Sequence, residues 1–154
     1  MGLLPFFKKK ALFNEDETRR IVSAIRSCEQ KTSGEIRVYI EAKNPYVSPM
    51  ERAIEVFTKL KMEQTDHRNG VLLYIAYKHH ELALFGDSGI YEHAGAAFWD
   101  AEVKKIIANF AENHLPEGII ECVLDVGEVL SQAFPYIPTE DKNELPDDIV
   151  FGKL

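Results

Sequence analysis

The sequence predicts an α/β fold in which helices cover a small mixed β-sheet. Helical and strand periodicities alternate along most of the chain. A strand, a helix and a second strand follow one another between residues 35 and 77, and such a unit forms a parallel strand pair with a right-handed crossover. A third strand begins at Glu81, close enough to the second to form an antiparallel hairpin.

The composition is that of a folded globular domain, and it argues against one class of function. The chain has 154 residues, of which 45% are hydrophobic and 28% are charged. A chain of this length and composition can bury a hydrophobic core that is stable without disulfides or bound metal ions. Its formal net charge of −7 argues against non-specific nucleic-acid binding, which requires a basic face. An acidic chain suits a cation as ligand, although acidic globular proteins are common.

The chain divides into an N-terminal tail over residues 1–13, one domain over 14–136 and an acidic C-terminal extension over 137–154. The extension still contains apolar residues at 145–146 and 149–151, which are apolar enough to dock on the domain. No internal repeat and no low-complexity segment interrupts this order.

The N-terminus indicates a cytoplasmic protein. No segment approaches the ~20 apolar residues of a membrane span. The first apolar residues precede their lysines, which is the reverse of a secretory signal. Phe6, Phe7 and the lysines at 8–10 support only a weaker expectation, contact with an anionic membrane surface.

The domain opens with a helix and a strand. Asn14 and Glu17 have the spacing of a capping box, and the apolar positions that follow predict a helix over residues 15–31. Residues 35–41 alternate between apolar and polar side chains. This alternation predicts a strand with one buried face and one partly covered face.

The next helix and strand complete the crossover unit. Ser48 is a favourable N-cap residue, and the apolar residues after it recur with helical spacing to about residue 63. Asn69-Gly70 marks a turn. The apolar run over residues 71–77 predicts a central strand that is buried on both faces.

The remaining segments form the hairpin strand and the last helices. Residues 81–85 predict the third strand, and a short helical turn is expected near Tyr91. Helical spacing of apolar residues then predicts helices over 97–113 and 117–133, and Pro135 ends the second of them.

The predicted topology brings three loops to one edge of the sheet. The first two strands begin at this edge and the antiparallel third strand ends there. Hard cations such as calcium and magnesium prefer carboxylate, amide and carbonyl oxygens, and acids crowded into one concavity repel each other unless a cation joins them. The sequence therefore predicts a divalent-cation site, for calcium or magnesium. The candidate ligands are Glu35, Asp66, Asn69, Asp87 and Asp100.

Turn formation is a second interpretation of the same residues. Gly, Asn and Asp are favoured in turns for conformational reasons alone. Asp87 would then form a local turn with Ser88 and Gly89, and Asn69 would take a left-handed conformation beside Gly70. The residues themselves leave both interpretations open.

Other familiar sites do not occur in this sequence. It contains no G-x-S-x-G elbow, no P-loop and no G-x-G-x-x-G motif, and no His/Cys set has zinc spacing. His79 and His80 are predicted at the opposite edge of the sheet. Cys28 and Cys122 lie in helical apolar patterns, so we expect two buried thiols, and we expect Trp99 in the core.

Three segments occur in the order and at the spacing of the TPM domain, and the chain resembles that family from about residue 14 to residue 136. They are Ser33-Gly34-Glu35-Ile36-Arg37-Val38, Asn69-Gly70-Val71-Leu72-Leu73 and Phe85-Gly86-Asp87-Ser88-Gly89-Ile90. The family includes thylakoid-lumen repair proteins and many bacterial proteins of unknown role. The resemblance implies a mixed, mostly parallel sheet with helices on both faces, an αβα sandwich.

The resemblance also implies divalent-cation binding by the loops at the strand edge, with calcium among the candidates. Carried over position by position, it points first to Glu35, Asn69 and Asp87 as ligands, and then to Asp66 and Asp100. Acid phosphatase activity has been attributed to the family through its plant member. A bound cation would then polarise a phosphate ester and activate water, and no nucleophile or general acid is identifiable in these motifs.

Two features depart from the family pattern. Many members carry a signal peptide and a C-terminal membrane span or Gly-rich tail, and this sequence shows neither, as expected of a cytosolic stand-alone branch. Arg68 precedes Asn69, where an acid or a small residue would suit a cation better.

Two hypotheses about function follow. In the first, the domain binds a divalent cation and slowly hydrolyses a phosphate-ester substrate. In the second, it is a non-catalytic interaction module in which a bound cation orders loops that dock a protein partner.

Overall fold

The structure, a computed structural model, describes residues 12–46, 48–138 and 149–152, and its elements follow the predicted order. The helices, named α1 to α5 in chain order, span Glu15–Glu29, Pro49–Lys59, Ser88–Ala94, Ala96–Ala111 and Leu115–Ala133. The strands, named β1 to β4, span Glu35–Glu41, Gly70–Ala76, Glu81–Gly86 and Ile149–Phe151. The predicted membrane contact through Phe6, Phe7 and residues 8–10 falls outside the described residues.

The sheet is mixed and mostly parallel, as predicted. Its strand order is β3-β2-β1-β4. β1 and β2 run parallel from the pair Glu35↔Gly70 onward, whereas β3 returns antiparallel to β2, with Gly86 opposite Val71. The crossover unit and the hairpin inferred from the sequence are therefore confirmed.

β4 is the element that the sequence did not specify as a strand. It pairs in parallel with β1, with Ile149 opposite Val38 and Phe151 opposite Ile40, and the Gly152 N–H donates to the Ile40 carbonyl at 2.7 Å. The docking expected of residues 149–151 thus takes the form of a fourth strand on the edge of β1. The docking expected of residues 145–146 falls outside the described residues.

Helices cover both faces of the sheet. One face packs against α1, α4 and α5 through side chains such as Val38, Leu73 and Val126. The other face packs against α2 and contains the stacked rings of Tyr39 and Tyr74, whose centroids lie 6.2 Å apart. The polar face of β1, predicted to be partly covered, is buried: Arg37 is 3% exposed, and Tyr39 packs with residues of α2.

Helix ends follow local chemistry. The capping box of Asn14 and Glu17 is present at the start of α1, and the Ser48 side chain accepts a hydrogen bond from the Glu51 N–H. α2 ends at Lys59, earlier than the predicted residue 63. Lys61 takes a left-handed backbone with φ 60°, which stops the helix and turns the fully buried Met62 towards the sheet.

The remaining core predictions are confirmed. Cys28, Cys122 and Trp99 are buried, and burial raises the pKa of the Cys28 thiol to about 11. His79 and His80 lie in the turn between β2 and β3, where His80 stacks on Phe110. Across the described parts of the chain, no helix has the length and apolar character needed to cross a membrane.

Candidate functional site

The predicted convergence occurs at the edge where β1 and β2 begin and β3 ends, which we call the mixed edge. Glu35 pairs with Gly70 across β1 and β2, and the Asp87 N–H donates to the Gly70 carbonyl at 2.9 Å from the end of β3. The Glu35 N–H donates to the Asn69 carbonyl at 3.3 Å. Glu35 and Asp87 therefore flank the start of the middle strand, where Asn69 lies.

Burial divides the five predicted ligands into two groups. Glu35, Asn69 and Asp87 are only 2%, 1% and 3% exposed, although polar side chains of these types are rarely buried without a partner. Asp66, in the loop before β2, and Asp100, in the first turns of α4, are solvent-exposed. The structure thus brings together the first three residues and leaves the other two at the surface.

Asn69 is fixed by its neighbours. Its N–H donates to Oγ1 of Thr65 at 3.2 Å, and its side-chain Nδ2 donates to Oγ of Ser33 at 3.4 Å. Its Oδ1 atom is buried and has no hydrogen-bond partner among the described residues. A buried amide oxygen without a donor is an unfavourable arrangement that a cation would relieve.

The turn interpretation holds in part. Asp87 is the N-cap of α3, and its Oδ1 accepts a hydrogen bond from the Ser88 N–H at 2.7 Å. The left-handed residue is Arg68, with φ 51°, and not Asn69. Gly89 donates its N–H to the Arg68 carbonyl at 2.9 Å, and a Cβ at this glycine would lie 2.1 Å from the His67 carbonyl, so the close approach requires glycine.

Arg68 forms a two-point ion pair with Asp87. Its Nε lies 2.7 Å from Oδ2 and its Nη2 lies 2.8 Å from Oδ1, the geometry in which a guanidinium binds a carboxylate most strongly. The Asp87 side chain is 4% exposed, whereas the Arg68 side chain is 54% exposed. Hydrogen bonding to Asp87 raises the pKa of Arg68, so the guanidinium on the solvent side of the pair stays protonated.

The end of α5 supports the loop before β1. The Ser33 N–H donates to the Phe134 carbonyl at 3.0 Å, and the Thr32 hydroxyl donates to the Leu130 carbonyl at 3.1 Å. The ring of Phe134 stacks with His67 at 5.9 Å. The loops that carry Glu35 and Asn69 are therefore joined through α5 as well as through the sheet.

Sequence reasoning did not identify the supporting residues Thr65, Ser33 and Thr32. Their hydroxyl groups bind backbone or amide groups, a role for which Ser and Thr are favoured in loops. The sequence signal for Thr65 was its position four residues before Asn69, which permits a local side-chain to backbone bond.

A second polar cluster lies at the opposite edge of the sheet, and its contacts join α2 to the end of β1. Arg52 of α2 binds Glu41 at the end of β1, and the Tyr74 hydroxyl donates to Oε2 of the same carboxylate at 2.5 Å. Burial, and then the bond to Glu41, raise the pKa of Tyr74. Nearby, His79 accepts a hydrogen bond on Nδ1 from the Asn44 N–H, so this histidine has a local role.

Within residues 12–46, 48–138 and 149–152, no group of three or more His, Cys, Asp or Glu side chains is arranged to hold a metal ion. The mixed edge supplies two acids and one amide. A cation there would therefore depend on Asn69 and on backbone or water oxygens in addition to the carboxylates.

The chain is similar to a known protein family and to solved protein structures. The family model described as the TPM domain matches residues 7–129. The NMR structure of the BA42 protein from the psychrophilic bacterium Bizionia argentinensis is 36% identical in sequence, with a TM-score of 0.82 over 91% of this chain and 95% of that chain.

Two further NMR structures share the fold at low identity. The N-terminal domain of the cg2496 protein from Corynebacterium glutamicum has 13% identity and a TM-score of 0.62, over 77% of this chain and 74% of that chain. The N-terminal domain of a protein from P. gingivalis has 15% identity and a TM-score of 0.63, over 80% and 79%. No curated protein matches the chain.

Proposed function

This chain belongs to the TPM domain family, and we propose that it binds a divalent cation, calcium or magnesium, at the mixed edge of its sheet. The observation that supports this most directly is the burial of Glu35, Asn69 and Asp87 at the converging ends of three neighbouring strands. Three oxygen-bearing side chains are rarely removed from water at one place unless an ion or a hydrogen-bond network stabilises them.

The donor set suits a hard cation. Carboxylate and amide oxygens are the ligands that calcium and magnesium prefer, and the buried Asn69 Oδ1 accepts no hydrogen bond from the described residues. The Asp87 oxygens already accept bonds from Arg68 and Ser88. A carboxylate offers about four lone-pair sites, so these bonds leave acceptor capacity for a cation.

Hydrolysis of phosphate esters is the reaction that such a site would serve. A bound cation would polarise the ester and activate water. Around it, Asn69 and its partners Thr65 and Ser33 would hold the ligand geometry, and Asp87 or Glu35 would act as ligand or base. The Arg68 side chain is 54% exposed next to this site, and its guanidinium would orient the phosphate group.

The test begins with calorimetric titration of metal-free protein with calcium and then with magnesium. We expect binding by the native chain and its loss in Asp87→Ala. Asp87→Asn keeps an N-cap side chain for α3 and removes the charge, so it separates loss of a ligand from loss of the cap. Asp16→Ala removes an exposed acid from α1 and is the charge control. Absence of heat and of a thermal shift at millimolar cation would disprove the proposal.

A second candidate function is protein interaction. Tyr136 and Ile137, which follow α5 next to the mixed edge, are 42% and 41% exposed, and the Tyr136 N–H is bonded to the Lys31 carbonyl. A cation that orders these loops would present the two apolar side chains to a protein partner. Cation binding without turnover of a chromogenic phosphate ester would favour this function, whereas turnover lost in Asp87→Ala would favour hydrolysis.

A further inference from the structure

We propose that Arg68 is a built-in competitor of the cation, which must displace its guanidinium from Asp87 to bind with full affinity. The inference rests on the proposed cation site and adds the residue that regulates it. Arg68 is the side chain that already provides Asp87 with a positive charge, through contacts of 2.7 and 2.8 Å. In the absence of a cation, this pair keeps the buried carboxylate neutralised.

The two ends of the ion pair differ in burial and in the number of contacts that hold them. Asp87 is held by its own N–H bond to Gly70, by its cap bond to Ser88 and by burial. The Arg68 backbone is held by the bond from Gly89, but just over half of its side chain lies in solvent. The guanidinium can therefore swing outward without opening the core, whereas the carboxylate stays in place.

Cation binding at Asp87 would therefore replace the guanidinium of Arg68, a single charge attached to the chain, with a divalent ion. A cation that reaches Asp87 meets a carboxylate whose two oxygens already accept charge-assisted bonds, so part of its binding free energy is spent on breaking them. Displacement would also move the Arg68 guanidinium to the mouth of the site, where it would face an incoming anion. The affinity of this chain for a cation is thereby set by residue 68.

The experiment compares the native chain with Arg68→Gln by calcium titration calorimetry and by thermal unfolding with and without calcium. We expect calcium to bind roughly tenfold more tightly to Arg68→Gln, because the charge-assisted two-point contact of Arg68 with Asp87 no longer competes with calcium. Without cation, this variant should unfold at a lower temperature than the native chain, because Asp87 has lost its partner. Calcium should then raise its Tm by more than it raises that of the native chain.

Two further variants sharpen the comparison. Arg19→Gln removes the same charge from an exposed pair on α1, and we expect native affinity and a native calcium response. Arg68→Lys keeps the charge but loses the two-point geometry, so its affinity should be intermediate. It also provides a folded variant if Arg68→Gln does not fold.

The outcomes separate this inference from the proposed function. Native binding of calcium with unchanged or weaker binding in Arg68→Gln would overturn the inference and leave the cation site standing. Calcium binding by Arg68→Gln alone would support the inference and show that the native pair keeps the site closed. If neither protein binds or is stabilised by millimolar calcium, the site and the inference both fail. A purely structural ion pair would lower the Tm of Arg68→Gln without any rescue by calcium.

Discussion

Arg52 binds both carboxylate oxygens of Glu41, with Nε 2.8 Å from Oε2 and Nη2 2.9 Å from Oε1. The two side chains are only 6% and 10% exposed, so this pair joins α2 to the end of β1 inside the protein. Arg52 also binds Glu55, and Glu55 accepts a hydrogen bond from the Tyr46 hydroxyl. The cluster is saturated with partners, in contrast to the Asn69 oxygen at the mixed edge.

Replacing one partner of this buried pair should strongly destabilise the fold. In Arg52→Met the Glu41 carboxylate remains buried without its main counter-charge, and the loss in unfolding free energy is expected to be about 3–5 kcal/mol. Urea unfolding monitored by circular dichroism measures it. In the double variant Arg52→Met with Glu41→Gln, the loss should be smaller because no charge is left unpaired. An equal or larger loss in the double variant would contradict this account.

Because Glu102 is buried, its ionisation should lower the unfolding free energy as the pH rises towards neutrality. Its side chain is 4% exposed, and burial, followed by hydrogen bonding and repulsion from Asp125, raises its pKa from 4.5 to about 7. The charges that face it are Asp125 and Lys105, and the buried Cys122 lies beside it. Between pH 4.5 and 7 the folded state holds the proton that the unfolded chain has lost, so the unfolding free energy decreases through this range.

The size of this effect is on the order of 2 kcal/mol between pH 5 and pH 8. Urea unfolding at the two pH values tests it, and Glu102→Gln should lose most of the difference because it cannot ionise. Glu112→Gln is the control for loss of one glutamate charge, since Glu112 lies at the end of the same helix and its side chain is 74% exposed. A pH profile of Glu102→Gln that matches the native one would refute the assignment.

Gly127 allows α1 and α5 to approach closely. A Cβ at this position would lie 2.2 Å from Sγ of Cys28 on α1. The Cys28 thiol donates to the carbonyl of Val123, which lies one turn before Gly127 on α5. Gly127→Ala should therefore destabilise the fold by about 1–3 kcal/mol through overpacking, although alanine is the better helix former. Thermal unfolding measures the loss, and Glu128→Ala, at the exposed next position, should be close to neutral.

Removing β4 should destabilise the sheet and expose its edge. A chain that ends at residue 148 lacks the pairing of 149–151 with β1 and the close contact of Gly152 with the Tyr39 ring. We expect a loss of about 1–2 kcal/mol and increased self-association, because an unpaired strand edge recruits other strands. Size-exclusion chromatography and urea unfolding of the shortened chain test both effects, and a stable monomer with native unfolding would contradict them.

The mixed edge could be located from the sequence because it depends on local signals. Two strands joined by a helix run parallel, and a tight turn makes the third antiparallel, so the ends that carry Glu35, Asn69 and Asp87 must meet. Burial of these three residues, and exposure of Asp66 and Asp100, depends instead on how α5 and the loops pack. Such long-range contacts leave no periodic pattern in the sequence.

Three other features could not be predicted for related reasons. The Arg68–Asp87 pair joins residues from different loops and depends on the left-handed backbone at Arg68, a conformation unusual for arginine. Glu102 lies at a helix position that would ordinarily be assigned to solvent, and its burial follows from the packing of α4 on α5. β4 has only three residues, too few for an alternating pattern to indicate a partner strand.

The pairing of β1 with β4 also constrains the order of folding. The crossover unit and the hairpin join segments that are close in sequence, whereas β4 must return from beyond α5 to pair with the first strand. Contacts of such long sequence separation close the largest loops and form late. The edge of β1 therefore stays open while the rest of the domain assembles, and in hydrogen-exchange experiments the amides of β4 should become protected after those of β1 and β2.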